Sequence, residues 1–208
     1  MPEFLITGAK DCATTLLLAH GAGAGMETPF LEFFARCLPE LGMRVTRFEF
    51  AFMAARRSTS KRRPPPRAET LMGEYQEAIA ALPASTAGRL LIGGKSMGGR
   101  VASLVAGELH AAGRIGGLVC LGYPFHPPKA PEKLRTSHLL DLKCPALIMQ
   151  GENDPFGTRT EVAGYTLSPA IQVQWIAGAD HDLSPSRKAR EAAWLEAAEA
   201  IAAFAAAL

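Results

Sequence analysis

Short apolar segments alternate with helix-like patterns along almost the whole chain. Several of the apolar segments are nearly continuous, which is typical of parallel β-strands that are covered on both faces of a sheet. The predicted strands are Thr14–Ala19, Arg44–Phe50, Arg89–Gly93, Gly117–Gly122, Ala146–Gln150 and Ile171–Ala177, with Phe4–Thr7 as a candidate edge strand. The pattern therefore predicts a mostly parallel sheet.

Apolar residues at helical spacing predict four helices between and after the strands. The first begins at the N-cap Thr28, has Pro29 at its first position, and is kinked or ended early by Pro39. The others carry Leu71, Tyr75, Ile79 and Leu82, cover Met97–Ala112 with Gly113 as a cap, and begin near Ser184 and Pro185. Strands that alternate with helices predict the α/β class, as a three-layer α/β/α sandwich. No domain boundary is visible, so residues 1–208 are expected to form one domain.

The composition is that of an ordinary globular protein. Of the 208 residues, 48% are hydrophobic and 20% are charged, and the net charge of +2 is too small to indicate a nucleic-acid or membrane partner. No apolar run approaches the ~20 residues of a membrane span, and the N-terminus does not resemble a signal peptide. Four scattered cysteines without C-x-x-C spacing favour reduced thiols and a cytoplasmic location.

The strongest chemical signal is the G-x-S-x-G segment from Gly94 to Gly98, which contains Ser96. Such a match is common by chance, but here it lies between a predicted strand and a predicted helix. That order describes a nucleophile elbow, a tight turn that holds a serine hydroxyl at the top of a sheet. Glycine is expected at both ends because a Cβ atom there would collide with the neighbouring strand or helix. Ser96 is therefore the predicted nucleophile.

A serine nucleophile needs a histidine base, and the histidine needs a carboxylate that fixes its tautomer. In enzymes built on such an elbow, the acid and then the histidine follow the serine in the chain, each just past a strand. Asp154 follows the strand Ala146–Gln150, and His181 follows the strand Ile171–Ala177. The predicted triad is therefore Ser96, Asp154 and His181.

A glycine-rich loop offers the second half of an oxyanion hole. It follows the strand Thr14–Ala19 and begins at His20, which is expected to brace the loop. Only tiny side chains let a backbone N–H group approach a substrate carbonyl closely. The predicted donors are the N–H of Met97, at the positive end of its helix, and that of Ala22 or, as a second choice, Gly23.

Alternatives to the predicted acid remain open among its neighbours. Glu152 is a reserve for Asp154. Asp180 and Asp182 flank His181, but neighbours in sequence rarely orient an imidazole well.

Two further side chains, His126 and Lys95, are candidates for the substrate pocket or its surroundings. His126 lies in the loop after Gly122 and is a candidate for lining the pocket, although a solvated position is the commoner case for loop histidines such as His138. Lys95 either is exposed or tunes the electrostatic field of the site.

A basic, proline-rich segment from Arg56 to Arg67 follows the second main strand and is predicted to be a loop. Its Lys and Arg side chains suit an anionic substrate or nucleic-acid phosphates. No aromatic residues are interleaved to stack on bases, which makes nucleic acid the less favoured partner. A solvated loop is the preferred interpretation.

These motifs together resemble a small branch of the α/β-hydrolase superfamily, the Tex30-like family, which shares its hydrolase-like domain with a subunit of an animal chromatin-acetylating complex. The likeness covers roughly Thr14 to Asp182. The segments that carry it are Gly94–Arg100, His20–Gly23, Arg63–Pro66, Gly122–Pro128 and Gly151–Gly157. It implies an α/β-hydrolase fold in which Ser96, Asp154 and His181 occupy the triad positions.

The expected function is hydrolysis of a carboxylic ester or thioester through an acyl-serine intermediate, with no metal or organic cofactor. The segment Tyr123–Lys143, where a lid is usually inserted in this superfamily, has only about 20 residues, so no large lid is expected. The alternative is a binding or scaffold protein that keeps the fold without turnover; a third hypothesis is acyl transfer, or a cofactor-free oxidation or lyase reaction. The uncharged segment Ala200–Leu208 suggests a packing surface for a partner or for a second copy in a homodimer.

Overall fold

A computed structural model describes residues 2–59, 64–83 and 88–208. In this part of the chain, seven strands form one sheet in the order β1-β3-β2-β4-β5-β6-β7. Only β1 is antiparallel to its neighbour, and every other described pair is parallel. The strands are β1 Phe4–Thr7, β2 Thr14–Ala19, β3 Met43–Phe48, β4 Arg89–Lys95, β5 Gly117–Leu121, β6 Ala146–Gly151 and β7 Ile171–Ile176. The predicted parallel sheet with an edge strand is confirmed.

Helices cover both faces of the sheet. They are α1 Pro29–Glu40, α2 Ala51–Thr59, α3 Met72–Ala80, α4 Met97–Ala111, α5 Arg159–Val162 and α6 Arg190–Ala207, with short 3-10 turns at Ala68–Leu71 and Ser137–Leu139. Because side chains alternate along a strand, Leu17 packs with α3 and α4, while Leu16 packs with α1 and α6 on the other face. The three-layer α/β/α sandwich is therefore confirmed.

The C-terminal helix begins later than predicted. It begins at Arg190 rather than near Ser184 and Pro185. The carboxylate of Asp180 accepts hydrogen bonds from the N–H groups of Asp182 and Ser184, and Leu183 has a φ of 53°. Because the Asp180 carboxylate binds these backbone N–H groups, residues 180–184 form a turn in place of a helix. The helix α6 therefore begins only after this turn.

The basic segment is only partly a loop. The chain leaves the sheet at Phe48 and enters α2 at Ala51, so the predicted strand was two residues too long and Arg56 lies in a helix. Phe50 does not extend the strand because its N–H donates to the ring of His20, at 3.1 Å from Nε2. Residues 60–63 of this segment lie outside the described residues, and residues 64–67 have no regular structure.

The uncharged C-terminal segment packs largely on the protein itself. Ile201 and Ala205 are buried in the core on the α1 side of the sheet, and Phe204 and Leu208 pack against that core. Its apolar character is therefore explained in part without a partner, and the homodimer stays a prediction. None of the helices in the described ranges is long and apolar enough to cross a membrane.

His138 is not the solvated loop residue that its position in the sequence favoured. Its Nε2 lies 2.8 Å from Ser103 Oγ on α4, and it also lies near the hydroxyl of Tyr123. Burial lowers the pKa of His138 from 6.5 to about 4, and the nearby Arg100 guanidinium acts in the same direction. The fold therefore holds this imidazole in its neutral form.

We expect the stability of the protein to fall when the pH is lowered below about 6.5, because the unfolded chain then protonates His138 while the folded chain resists protonation down to about pH 4. Burial lowers the pKa of His20 as well, so it contributes in the same direction. The free energy of unfolding in urea, measured at pH 7.5 and 5, should decline less in His138→Gln than in the wild type. An equal decline in both proteins would show that His138 is protonated freely in the folded state.

Candidate active site

Ser96 lies in the tight turn between β4 and α4, with φ 50° and ψ −115°, a region that L-residues rarely occupy. A Cβ atom at Gly94 would lie 2.5 Å from the carbonyl oxygen of Ala19, at the end of the neighbouring strand β2. A Cβ atom at Gly98 would lie 2.5 Å from the carbonyl oxygen of His20. The expectation that both positions require glycine is confirmed, because helix and strand approach more closely than any side chain allows.

A chain of hydrogen bonds links Ser96, His181 and Asp154. His181 Nε2 lies 2.9 Å from Ser96 Oγ, and His181 Nδ1 lies 2.8 Å from Asp154 Oδ2. Since a carboxylate only accepts, Nδ1 carries the proton in a neutral ring and Nε2 is the acceptor for the serine hydroxyl. The structure thus brings together the three side chains that the order of motifs predicted, in the tautomer that a base requires.

Asp154 is fully buried and is held by two neighbours that the sequence did not single out. Gln150 donates from Nε2 to Asp154 Oδ2 at 2.9 Å, and the N–H of Phe156 donates to Oδ1 at 2.9 Å. Gln150 also accepts from the N–H of Tyr123, at 2.7 Å. The sequence could have indicated this role, because Gln150 lies in a strand that is otherwise apolar and fully buried, and a buried amide needs several hydrogen-bond partners.

The ring of Phe156 covers one face of His181, with ring centroids 4.3 Å apart. This contact and the hydrogen bond to Asp154 make Phe156 a second support for the imidazole. The position of Phe156 in the segment after β6 indicated a turn. It did not indicate that the aromatic ring packs on His181.

Lys95 was predicted either to be exposed or to tune the electrostatic field of the site. It is buried, so the prediction of an exposed side chain is wrong. Its Nζ donates to the carbonyl oxygen of His181 at 2.5 Å and lies 3.2 Å from Asp182 Oδ1 and 5.2 Å from the centroid of the Phe30 ring. Burial lowers the pKa of the Lys95 ammonium, while the carboxylate of Asp182 opposes that effect. The side chain anchors the turn that carries His181.

The loop after β2 faces the elbow, as predicted. Ala22 and Gly23 line the same cavity as Ser96, and no described acceptor binds the N–H groups of Ala22 or Met97. The base of the loop is fixed by His20, whose Nδ1 lies 2.6 Å from the carbonyl oxygen of Gly21 and whose Nε2 accepts from Phe50. His20 therefore braces this loop.

The cavity beside Ser96 has a volume of about 500 Å³. Its walls combine small residues of the loop after β2, the first turn of α1, and aromatic side chains. The lining residues are Gly21, Ala22, Gly23, Ala24, Thr28, Pro29, Phe30, Leu31, Lys95, Ser96, Phe156, His181, Asp182, Arg190 and Trp194.

His126 is not among these lining residues, so its predicted place in the pocket is wrong. It is buried, with Nδ1 2.8 Å from the carbonyl oxygen of Pro127 and Nε2 3.5 Å from Glu161 Oε2. The N–H of His126 also donates to the carbonyl oxygen of Phe156. These contacts place the ring beside Glu161 of α5 and not at the cavity.

The alternative acids have other partners. Glu152 pairs with Arg159 at 2.6 Å and accepts from the N–H of Gly178. Asp180 caps the turn before α6, and Asp182 pairs with Lys95. Among the described residues, no group of three or more His, Cys, Asp or Glu side chains is arranged to hold a metal ion, and none of the four cysteines forms a disulfide.

A family model described as an alpha/beta hydrolase domain matches residues 12–206 of the chain. The protein belongs to the α/β hydrolases.

Solved structures with the same fold agree with this assignment. A dienelactone hydrolase from Anabaena variabilis superposes with a TM-score of 0.73 at 19% identity, over 98% of this chain and 90% of that chain. An α/β serine hydrolase homologue from Coxiella burnetii gives a TM-score of 0.70 at 18% identity, over 95% of this chain and 89% of that chain. A serine hydrolase without a lid from Xanthomonas campestris gives 0.67 at 19% identity, over 96% and 89%. At these identities the likeness shows the fold.

The described residues of the present α/β hydrolase also form no lid. Between β5 and β6 the described chain contains no α-helix and only the 3-10 turn Ser137–Leu139. The expected absence of a large lid is confirmed, and the cavity beside Ser96 opens to solvent.

Replacing Lys95 should destabilise this α/β hydrolase more than replacing its ion-pair partner. Lys95→Met leaves the carbonyl oxygen of His181 without its donor, which we expect to lower the free energy of unfolding by ~1–3 kcal/mol. The side chain of Asp182 is 66% exposed, so Asp182→Asn should cost less than ~1 kcal/mol. Urea unfolding of both variants measures the two costs. Equal costs would mean that the ion pair, and not the bond to the backbone, anchors the turn.

Proposed function

We propose that this α/β hydrolase cleaves a carboxylic ester or thioester through an acyl-serine intermediate. The observation that supports this proposal best is the continuous chain of hydrogen bonds from Ser96 through His181 to Asp154. A serine hydroxyl is a weak nucleophile at neutral pH, and this arrangement supplies the base that removes its proton as it attacks. Three supports of the chain, Gln150, Phe156 and Lys95, hold it in place before any substrate binds.

In the first half of the reaction, Ser96 Oγ attacks the carbonyl carbon while His181 Nε2 takes the hydroxyl proton. The bond from the carbonyl carbon to the leaving oxygen or sulfur then breaks, and the imidazolium passes the proton to that atom. In the second half, water attacks the acyl-serine, again losing its proton to His181, and Ser96 leaves as an alcohol. Asp154, buried and fixed by two donors, stabilises the imidazolium formed in each half.

The negative charge on the carbonyl oxygen falls between two backbone segments. We assign the N–H of Met97, at the N-terminal end of α4, as one donor and the N–H of Ala22 as the other, with Gly23 as the second choice. Ala22 and Gly23 line the cavity beside Ser96, and Met97 follows Ser96 directly at the start of α4, which supports the assignment. The bond between His20 and Phe50 keeps the Ala22 loop at a fixed distance from the sheet.

The open cavity favours small acyl groups or acyl groups presented at a surface, since no lid encloses a long chain. The resemblance of five segments to the Tex30-like family supports placing the protein in that branch of the superfamily. The four free cysteines support a location in the cytoplasm. Only side chains and backbone groups act in this mechanism, so no metal or organic cofactor is assigned to it.

The protein should react once with a small fluorophosphonate, because an activated serine hydroxyl displaces fluoride from the reagent and forms a phosphonate ester. Intact-mass measurement is expected to show a single adduct on the wild type and none on Ser96→Ala or His181→Ala.

On p-nitrophenyl and thioester substrates, Ser96→Ala or His181→Ala should lower kcat by ~10⁴–10⁶. Asp154→Asn should lose on the order of 10⁴, since the imidazole then takes the wrong tautomer.

Ser103 provides a matched control for this experiment. It also lies 2.8 Å from a histidine, His138, but the Ser103 hydroxyl donates to the carbonyl oxygen of Arg100, and burial lowers the pKa of His138 to about 4, which makes this histidine a weak base. Ser103→Ala should therefore keep the adduct. A folded wild type that takes up no reagent and is as inert as Ser96→Ala would refute the hydrolase proposal and favour a binding or scaffold protein.

A further inference from the structure

Arg190 is a charged side chain of the cavity that the proposed reaction does not use. It lies at the first position of α6 and lines the same cavity as Ser96 and His181. Other described arginines pair with carboxylates, among them Arg100 with Glu69 and Arg159 with Glu152. No carboxylate of the described residues lies within 4.0 Å of the Arg190 guanidinium.

Contacts with neighbouring side chains hold the Arg190 guanidinium at the cavity. Its Cζ lies 5.6 Å from the centroid of the Trp194 ring, and its Nε lies 3.4 Å from Ser184 Oγ. Trp194 in turn donates from Nε1 to the carbonyl oxygen of Asp182, at 2.7 Å. Since Asp182 follows His181 directly, the guanidinium belongs to the same packed unit as the proposed base. An arginine that stacks on an aromatic ring in this way keeps its outer N–H groups available for a ligand.

The other charges around the cavity largely cancel. Apart from His181, its lining contains Lys95, Asp182 and Arg190 as charged residues. Lys95 and Asp182 lie 3.2 Å apart and form an ion pair. The positive charge of Arg190 therefore has no ion-pair partner among the described residues that line the cavity shared with Ser96.

The wall next to Arg190 is apolar. Phe30 and Trp194 are buried, and their rings pack edge to face with centroids 5.1 Å apart. Phe156 contributes a third aromatic face beside His181. A ligand that matches this surface has an apolar body and a single anionic group.

We propose that Arg190 binds a carboxylate on the substrate, so that the substrate class is an ester or thioester with an apolar body and a carboxylate at one end. The planar guanidinium donates two parallel hydrogen bonds to a carboxylate, which a point charge does not do. The proposal rests on the function proposed above, since it concerns the substrate of the same site.

Kinetics with matched pairs of esters tests the proposal. In one pair the carboxylate is on the acyl part: mono-p-nitrophenyl glutarate against its methyl ester. In the other it is on the leaving group: p-carboxyphenyl butyrate against its methyl ester. We expect the wild type to prefer the anionic member of one pair by on the order of 10-fold in kcat/KM. Which pair shows the preference tells which side of the ester faces Arg190.

Arg190→Gln should remove that preference, lowering kcat/KM for the anionic ester about 10 times more than for its neutral partner. Arg187→Gln is the matched control, because Arg187 is exposed on the same segment and does not line the cavity. It should keep the preference, and added salt should weaken the preference in the wild type. A wild type without preference in either pair, or an Arg190→Gln variant that keeps it, would overturn the proposal.

A binding measurement separates failure of this proposal from failure of the hydrolase proposal. The chain has two tryptophans, so Trp194 alone reports in a Ser96→Ala, Trp175→Phe background. Titration with glutarate monomethyl ester should give a saturable change in Trp194 fluorescence that is lost with Arg190→Gln. Binding without turnover in the wild type would refute the hydrolase function and retain the carboxylate site. Turnover of neutral esters without this binding would refute the carboxylate site alone.

Discussion

The strained backbone of Ser96 is the constraint on which the rest of the site depends. Its φ and ψ are tolerated only because the turn is fixed from both sides: the N–H of Ser96 donates to the carbonyl oxygen of Leu121 at 2.9 Å, and α4 lies against the end of β2. Strain of this kind costs on the order of 1–3 kcal/mol and persists where surrounding packing over-determines it. Here the packing requires Gly94 and Gly98, and it holds the serine hydroxyl at the edge of the sheet, 2.9 Å from Nε2 of His181 in the loop after β7.

Buried polar side chains extend that rigidity from the elbow to the other loops. Lys95, the residue before the serine, donates to the carbonyl oxygen of His181. Gln150 donates to the carboxylate of Asp154 and to the carbonyl oxygen of Gly157. Each of these groups would be costly to bury alone, and each is satisfied by backbone carbonyls or N–H groups of a different loop. Hydrogen bonds therefore tie the end of β4 to the loop after β7, and the loop after β5 to the loop after β6.

Local sequence patterns predicted the features that depend on residues close together in the chain. Apolar runs marked the strands, the G-x-S-x-G segment marked the turn, and strand ends placed Asp154 and His181 at the same edge of the sheet. Contacts between distant segments were not visible in those patterns. His126 turns toward α5, Lys95 binds a carbonyl far along the chain, and the pocket wall of Phe30 and Trp194 joins the two ends of the sequence. The late start of α6 belongs to the same class, since a side-chain carboxylate and not the helix pattern decides it.

The short connection between β5 and β6 has a kinetic consequence. Where a lid closes over the substrate, its opening and closing often limit turnover and keep solvent out. The described residues of this protein form no such lid, so under the proposed mechanism no closing step separates the binding of a substrate from its attack by Ser96. Alcohols and amines then reach the proposed acyl-serine through the same opening as water and compete with water for the acyl group. Under that mechanism, the concentrations around the protein, and not a change in its shape, set the partition between hydrolysis and acyl transfer.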